Sequence, residues 1–151
     1  MANILHPDFR EFLELLNSEK VDYLIVGGYA VSFHGYVRAT GDIDIWIKSE
    51  PENAARLLKV LAKFGFGGLG LTLANFTAPD QVIQLGYEPV RIDILTSVSG
   101  IQFEECFTKR METELDGIRM PYISLFYLRQ NKLATGRPQD LLDLSNLGTS
   151  E

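Results

Sequence analysis

The sequence has little that would suit it to an oxidising or membrane environment. One cysteine in 151 residues excludes an internal disulfide, and we interpret Cys106, on a predicted helix, as a core or partly buried thiol rather than a nucleophile. No apolar run approaches the roughly 18 to 20 residues of a membrane span. The N-terminal residues also lack the basic segment and apolar core of a signal peptide. We therefore expect a cytoplasmic protein with no membrane partner.

Basic residues are in the minority, since 14 Lys and Arg stand against 20 Asp and Glu, a formal net charge of −6. This balance argues against broad binding to a nucleic-acid backbone, which needs many Lys or Arg contacts. A local positive patch stays open, because residues 118–138 contain basic residues and no acidic one. Internal repeats and linkers are also lacking, so we predict that residues 1–151 form a single domain.

Helical and strand patterns alternate along the chain. Apolar spacing, caps and turn residues predict helices at 7–18, 29–34, 51–64, 103–110, 125–135 and 138–147. Strands are predicted at 21–26, 42–47, 81–85, 90–95, 112–115 and 118–121, the last two joined by a tight turn at Asp116-Gly117. In the last helix, Leu141 and Leu142 are expected among the packing residues. The order favours an α/β or α+β fold, with helices on one or both faces of a sheet.

Two carboxylates separated by one residue, Asp42 and Asp44, lie on the strand predicted at 42–47. Alternate side chains of a strand share a face, so both should point the same way while Ile43 and Ile45 point into a core. Mg²⁺ takes oxygen ligands from one or two carboxylates and from substrate phosphates. The pattern by itself also fits an ordinary strand with one solvated face.

A glycine pair upstream favours the metal interpretation. Gly27 and Gly28 follow an apolar strand and precede a short helix. Glycine lets a backbone approach a ligand closely, and the first N–H groups of a helix favour an anion. Together the two features indicate a nucleoside triphosphate and its metal. The glycine-rich stretch 65–70 is interpreted instead as a connection, because it lacks the Lys-Ser/Thr ending of a P-loop.

A third acid, Asp93, lies on the strand predicted at 90–95. Its strand has the same alternation, with Ile92 and Ile94 on one side and Arg91 and Asp93 on the other. Asp93 can therefore stand beside Asp42 and Asp44 in a shared sheet. The alternative is a surface acid paired to Arg91.

A glycine pair that opens a helix, an Asp-Ile-Asp-Ile strand and a later strand acid resemble the nucleotidyltransferase superfamily related to DNA polymerase beta. The closer likeness is to small bacterial minimal nucleotidyltransferases, including the abortive-infection toxin type. It is carried by the stretches GGYAVSFHGYVRATGDIDI, GFGGLGLTLANF, VRIDILTSVSG and KLATGRPQDLLDL, which together with the QLGY segment span most of the chain. The superfamily often has Gly-Ser where this chain has Gly-Gly, which removes a hydroxyl but keeps the backbone donors.

The resemblance implies a nucleotidyltransferase fold, with a mixed central sheet flanked by helices, and two-metal nucleotidyl transfer. Gly27 and Gly28 match the phosphate-binding pair, Asp42 and Asp44 the metal-bridging acids, and Asp93 the third acid. A polar tail of the same pattern falls on three further residues, Lys132, Arg137 and Asp140.

The expected reaction moves a nucleoside monophosphate from a triphosphate to a hydroxyl with Mg²⁺ or Mn²⁺. Asp93 would also act as base toward the acceptor hydroxyl. Lys132, Arg137 and Arg38 are candidates for the triphosphate, although the first two also suit a solvated helix end. His34 is expected to make a structural hydrogen bond or a cap.

The acceptor is open among transfer RNA ends, a protein hydroxyl and a small antibiotic. An antitoxin partner is a further expectation, because the likeness extends to toxins of this type. The alternative function is an inactive nucleotide-binding or partner-binding module of the same fold. The intact set of three acids disfavours it.

Overall fold

The computed structural model describes residues 5–37, 41–87 and 90–148. Helices and strands alternate through this part of the chain. In order they are α1 (Pro7–Ser18), β1 (Tyr23–Val26), α2 (Gly27–Phe33), β2 (Asp42–Ile47), α3 (Pro51–Phe64), a 3₁₀ turn (Gly67–Leu69), α4 (Leu73–Thr77), β3 (Val82–Tyr87), β4 (Val90–Leu95), α5 (Phe103–Thr108), β5 (Met111–Leu115), β6 (Ile118–Tyr122), α6 (Leu125–Thr135) and α7 (Pro138–Asn146).

The strands within these residues form one mixed sheet in the order β3-β4-β2-β1-β6-β5. Strand β2 runs parallel to β4, and β1 runs parallel to β6. The remaining pairs, β1 with β2, β3 with β4 and β5 with β6, are antiparallel. This mixed α/β arrangement confirms the predicted fold class. It also places β2, with its two acids, between β1 and β4 in the middle of the sheet.

The core is built on the central strands. All four residues of β1 are buried, as are Ile43, Ile45 and Ile47 of β2. Trp46 lies on the other side of β2 and packs edge-on against Phe103 of α5, with ring centroids 5.2 Å apart. Burial of side chains of this size contributes about 1.5–3 kcal/mol each. Among the described helices, none combines the length and apolar character needed to cross a lipid bilayer.

Local signals set the element boundaries. Ser124 accepts a hydrogen bond from the Tyr127 amide at the start of α6, and Gly136 ends that helix with φ 61°. In the β5–β6 turn, Asp116 and Gly117 have φ 53° and 80°. Positive φ at both positions is what a tight hairpin turn requires. The predicted hairpin and the bounds of α1, β2 and α6 are confirmed.

Several details of the prediction are wrong. The strand predicted from residue 21 begins at Tyr23, and the helix predicted from 29 begins at Gly27, so the glycine pair forms the first turn of α2. Helix α4, which the sequence analysis did not predict, is only five residues long. Leu141 and Leu142 of α7 are 54% and 49% exposed, because α7 directs its acidic face inward instead.

Candidate active site

Three carboxylates come together on one face of the sheet. In the parallel register of β2 and β4, Asp42 lies beside Arg91 and Asp44 beside Asp93. Residues paired across a sheet point to the same face, so the carboxylates of Asp44 and Asp93 lie on the same side of the sheet. Asp93 is 7% exposed. The structure therefore brings together the three acids that the sequence analysis singled out.

Asp44 is the most perturbed of these acids. Burial raises its pKa, and the neighbouring charges of Asp93 and Asp42 raise it further, to about 7. The charge of Lys132 acts in the opposite direction. Like charges held together disfavour ionisation unless a cation accompanies them. The cluster is thus electrostatically unfavourable by itself at neutral pH and favours a bound positive charge.

Gly27 lies against Asp44, whose carboxylate occupies the space that a side chain at position 27 would need. Val26, the last residue of β1, pairs with Asp44 across the sheet, so α2 begins next to that carboxylate. Gly27 has φ +69°, and a Cβ at this position would lie 2.0 Å from Asp44 Oδ2. Both the backbone conformation and the space exclude a side chain. The Asp44 carboxylate consequently lies directly against the backbone of the glycine pair.

Arg91 bridges two of the acids. Its Nε donates to Asp93 Oδ1 at 2.7 Å, and its Nη2 donates to Asp93 Oδ2 at 3.1 Å and to Asp42 Oδ2 at 2.8 Å. The predicted alternative of a surface acid paired to Arg91 is correct about the pair but wrong about the surface, because Asp93 is buried. Asp93 also lies beside Asp44, as predicted. The link from Arg91 to Asp42 was missed, because it depends on the register of β2 against β4.

A buried ion cluster closes the corner between α6 and α7. Lys132 Nζ lies 3.1 Å from Asp140 Oδ1 and 3.0 Å from Asp143 Oδ2. Burial alone would raise the pKa of Asp140, but hydrogen bonds from Arg137, Thr135 and Lys132 hold it well below its usual range. Asp143 was missed in the sequence, where α7 reads as a leucine stripe. Its spacing of three from Asp140, which puts both acids on one helix face, was the available signal.

Arg137 presents its charge to solvent beside this cluster. Its side chain is 71% exposed, and its Nε donates to Asp140 Oδ2 at 2.7 Å. The hydrogen bond to Asp140 raises the pKa of Arg137, and the charge of Asp44 contributes in the same direction. The α6–α7 corner therefore lies within electrostatic reach of Asp44, with Arg137 as its exposed cation and Lys132 as a buried one.

The other residues singled out in the sequence have separate places. His34 follows α2, and its Nε2 lies 2.7 Å from the carbonyl oxygen of Ile123, which confirms a structural hydrogen bond. Cys106 is fully buried, as predicted. Arg38 lies outside the described residues. Gly28 is buried in the first turn of α2.

The donor set suits a divalent cation, although the described conformation does not hold the acids around one point. Within residues 5–37, 41–87 and 90–148, no three acidic, histidine or cysteine side chains are grouped so as to bind a single ion. The chemistry fits, because carboxylate oxygens are the preferred ligands of Mg²⁺ and a cation would relieve the repulsion at Asp44. In this conformation the guanidinium of Arg91 provides the compensating charge for Asp42 and Asp93.

Solved structures share this architecture. A candidate nucleotidyltransferase from Thermotoga maritima, TM1012, gives a TM-score of 0.62 at 17% identity, covering 96% of this chain and 95% of that protein. Lincosamide antibiotic adenylyltransferase LnuA gives 0.52 at 17% identity, covering 97% of this chain and 98% of LnuA. Antibiotic-resistance factor ANT(2'')-Ia gives 0.57 at 12% identity, covering 91% of this chain and 79% of that protein. At such identities the likeness shows a common fold.

The family of the chain is identified from its sequence. No curated protein sequence matches the chain. The family described as nucleotidyltransferase of unknown function (DUF6036) matches residues 7–150, which is nearly the whole chain. This match agrees with the resemblance that was drawn from the glycine pair and the three acids. The chain belongs to this nucleotidyltransferase family.

Proposed function

We propose that the protein transfers a nucleoside monophosphate from a nucleoside triphosphate to a hydroxyl acceptor and releases pyrophosphate. The observation that carries the proposal is the register that sets Asp44 beside Asp93, with Gly27 packed against the same carboxylate. An acid cluster of this kind is electrostatically unfavourable at neutral pH without a cation, which is the property expected of a site built for a metal-bound triphosphate.

The three acids divide the chemistry between them. Asp42, Asp44 and Asp93 would hold Mg²⁺ or Mn²⁺, which when bound polarises the phosphoryl group and offsets its charge. Asp93 would also take the proton of the acceptor hydroxyl. It lies on β4, on the side of β2 away from β1 and the glycine pair. Acceptor and triphosphate would therefore approach the acids from opposite sides.

The triphosphate would lie on the side of β1. Backbone N–H groups of Gly27 and Gly28, at the start of α2, would bind its terminal phosphates. Exposure favours Arg137 over Lys132 as the side chain that contacts them, because Lys132 is 5% exposed and paired with two carboxylates. We assign Lys132 to holding the α6–α7 corner in place. Arg38, just before β2 in the sequence, stays a further candidate for the phosphates.

The acceptor belongs to one of three classes: an RNA end such as that of tRNA, a protein hydroxyl, or a small antibiotic. LnuA, whose structure has lincomycin bound, and ANT(2'')-Ia, solved with adenylyl-2''-tobramycin, are structural neighbours that support the third class. The likeness to toxin-type relatives supports the first two, and an antitoxin partner would follow from it.

The test is a labelling experiment. Purified protein is incubated with each α-labelled nucleoside triphosphate, Mg²⁺ and, in separate reactions, total RNA, cell protein, a lincosamide or an aminoglycoside. We expect label in one acceptor class with the parent and none with Asp42→Asn. Equal labelling by both proteins would remove Asp42 from the reaction. Calorimetric binding of a triphosphate without labelling of any acceptor would favour the inactive binding module.

Gly27→Ala tests the contact between the glycine pair and the acids. The new Cβ would collide with Asp44 Oδ2 and the backbone would be strained at φ +69°. The carboxylate must then move by about 1 Å or more, which typically lowers a rate about a hundredfold. Single-turnover transfer measures this. The matched control is Gly68→Ala, because that glycine has open space where a Cβ would stand, and it should retain the parent's rate.

A further inference from the structure

Arg91 makes three hydrogen bonds to two of the proposed cation ligands. It donates to both oxygens of Asp93 and to Oδ2 of Asp42, at 2.7, 3.1 and 2.8 Å. The side chains of Arg91, Asp93 and Asp42 are only 21%, 10% and 24% exposed, respectively. Bidentate, charge-assisted hydrogen bonds of this kind are strong and geometrically specific. The guanidinium therefore holds two strands, β2 and β4, together through their carboxylates.

The same oxygen atoms are those that a divalent cation would need. A cation bound by Asp42 and Asp93 would share its ligands with the positive guanidinium and would be repelled by it at short range. Hydrogen bonding to Arg91 and coordination of a metal at these atoms therefore oppose each other.

The strand register gives Arg91 this position. It pairs with Asp42 on β2 and precedes Asp93 by two residues, so all three side chains share one face. On β3 its partner is Gly86, which has no side chain to block it from that direction. Arg91 also lines a cavity of about 490 Å³ with Phe66, Leu69, Gln84 and Tyr87 among its walls. The cavity thus lies beside Arg91 on the β3 side, away from β2.

We propose that Arg91 is a built-in counter-cation, which occupies the acid cluster when no divalent cation is bound and must leave Asp42 before one can bind. The inference rests on the proposed function only for the identity of the metal ligands. Arg91 is a positioning residue in this scheme: it holds Asp42 and Asp93 close together until the cation takes its place. Its presence lowers the affinity of the site for a free metal ion.

The test measures binding of Mn²⁺ alone, without nucleotide, by electron paramagnetic resonance or calorimetry. Arg91→Met keeps the length of the side chain and removes its charge. Because the repulsion between that charge and the cation is lost, we expect it to bind Mn²⁺ about tenfold more tightly than the parent. In chelator the variant should melt at a lower temperature than the parent, and Mn²⁺ should raise its melting temperature by a larger amount. A variant that is less stable than the parent in chelator but gains more stability from Mn²⁺ distinguishes this role from a general effect on packing.

Two further variants keep the proposal testable. If Arg91→Met does not fold, Arg91→Lys replaces it, because a lysine carries the charge but lacks the fork that reaches both acids; it should bind Mn²⁺ more tightly than the parent. The matched control is Arg110→Met, since Arg110 makes a similar pair with Glu112 two residues away, and its Mn²⁺ affinity should equal the parent's.

Weaker or equal Mn²⁺ binding by the folded Arg91 variant would overturn the proposal, and so would a parent and variant that both fail to bind. Either result is independent of nucleotide transfer. A protein that labels no acceptor but shows the expected Mn²⁺ affinities would disprove the proposed function and keep the role of Arg91.

Discussion

Asp44→Asn is expected to abolish nucleotide transfer and, in the same protein, to stabilise the cation-free fold at neutral pH. Transfer should fall by on the order of a thousandfold, because an amide has neither the charge nor the paired oxygens that hold a divalent cation. Stability should rise because burial of the carboxylate, together with the charges of Asp93 and Asp42, raises its pKa to about 7. The opposite signs of the two effects would identify a residue kept for reaction rather than for folding.

The stability difference should appear in a defined pH window. The ordinary pKa of an aspartate is 3.8, whereas that of Asp44 in the folded protein is about 7. Between these values the folded protein keeps a proton that the unfolded chain has released, so its free energy of unfolding falls as the pH rises. The Asn variant lacks this titration. The free energy of unfolding of the Asn variant should equal the parent's near pH 3.8 and exceed it by on the order of 2 kcal/mol above about pH 7.

Urea unfolding in chelator across that window measures the stability, and a labelled triphosphate with Mg²⁺ measures the transfer. The matched control is Glu114→Gln, an exposed acid on β5, which should change neither quantity. Parent-level transfer by the Asn variant would exclude Asp44 from the reaction. A stability difference that does not vary with pH would mean that the pKa of Asp44 is not raised in the folded protein.

Lys132→Ala is expected to lower the free energy of unfolding by about 3–5 kcal/mol, the usual effect of removing one partner from a buried ion pair. The Lys132 ammonium forms ion pairs with Asp140 and Asp143, whose side chains are 1% and 0% exposed. Asp140 keeps its hydrogen bonds from Arg137 and Thr135. The loss therefore falls mainly on Asp143, which retains a hydrogen bond from Gln139 but no longer shares the cation.

Urea denaturation at neutral pH measures this loss. Lys59→Ala is the matched control, since Lys59 lies on the exposed side of α3 and its removal should change stability by less than about 0.5 kcal/mol. A loss below about 1 kcal/mol for Lys132→Ala would show that water reaches the pair. In that case Lys132 would be accessible enough to contact a triphosphate directly, as the sequence analysis first suggested.

Much of the fold followed from local signals in the sequence. Alternation placed β2 and β4, Asp116-Gly117 placed the β5–β6 turn, and Ser124 and Gly136 placed the ends of α6. The strand order did not follow, because pairing of β2 with β4 and of β1 with β6 joins segments that are distant along the chain. Leu141 and Leu142 were assigned to the core on composition, whereas the ion cluster around Lys132 decides which face of α7 is buried.

The candidate site was predictable as residue types and only partly as geometry. The face shared by Asp42 and Asp44 follows from the period of a strand, and the contribution of Asp93 required only that its strand be a neighbour. The reach of Arg91 to Asp42 depends on register across two strands, which sequence spacing does not encode. The collision that a side chain at position 27 would meet likewise depends on where Asp44 lies in three dimensions.

The acid cluster forms only when β2 and β4 pair in the correct register. A slip of one residue would turn every side chain of β4 to the opposite face. Arg91 and Asp93 would then enter the apolar layer, while Ile92 and Ile94, which are 3% and 0% exposed, would face the acids of β2. Misaligned chains would thus be poorly folded and would also lack the proposed active site.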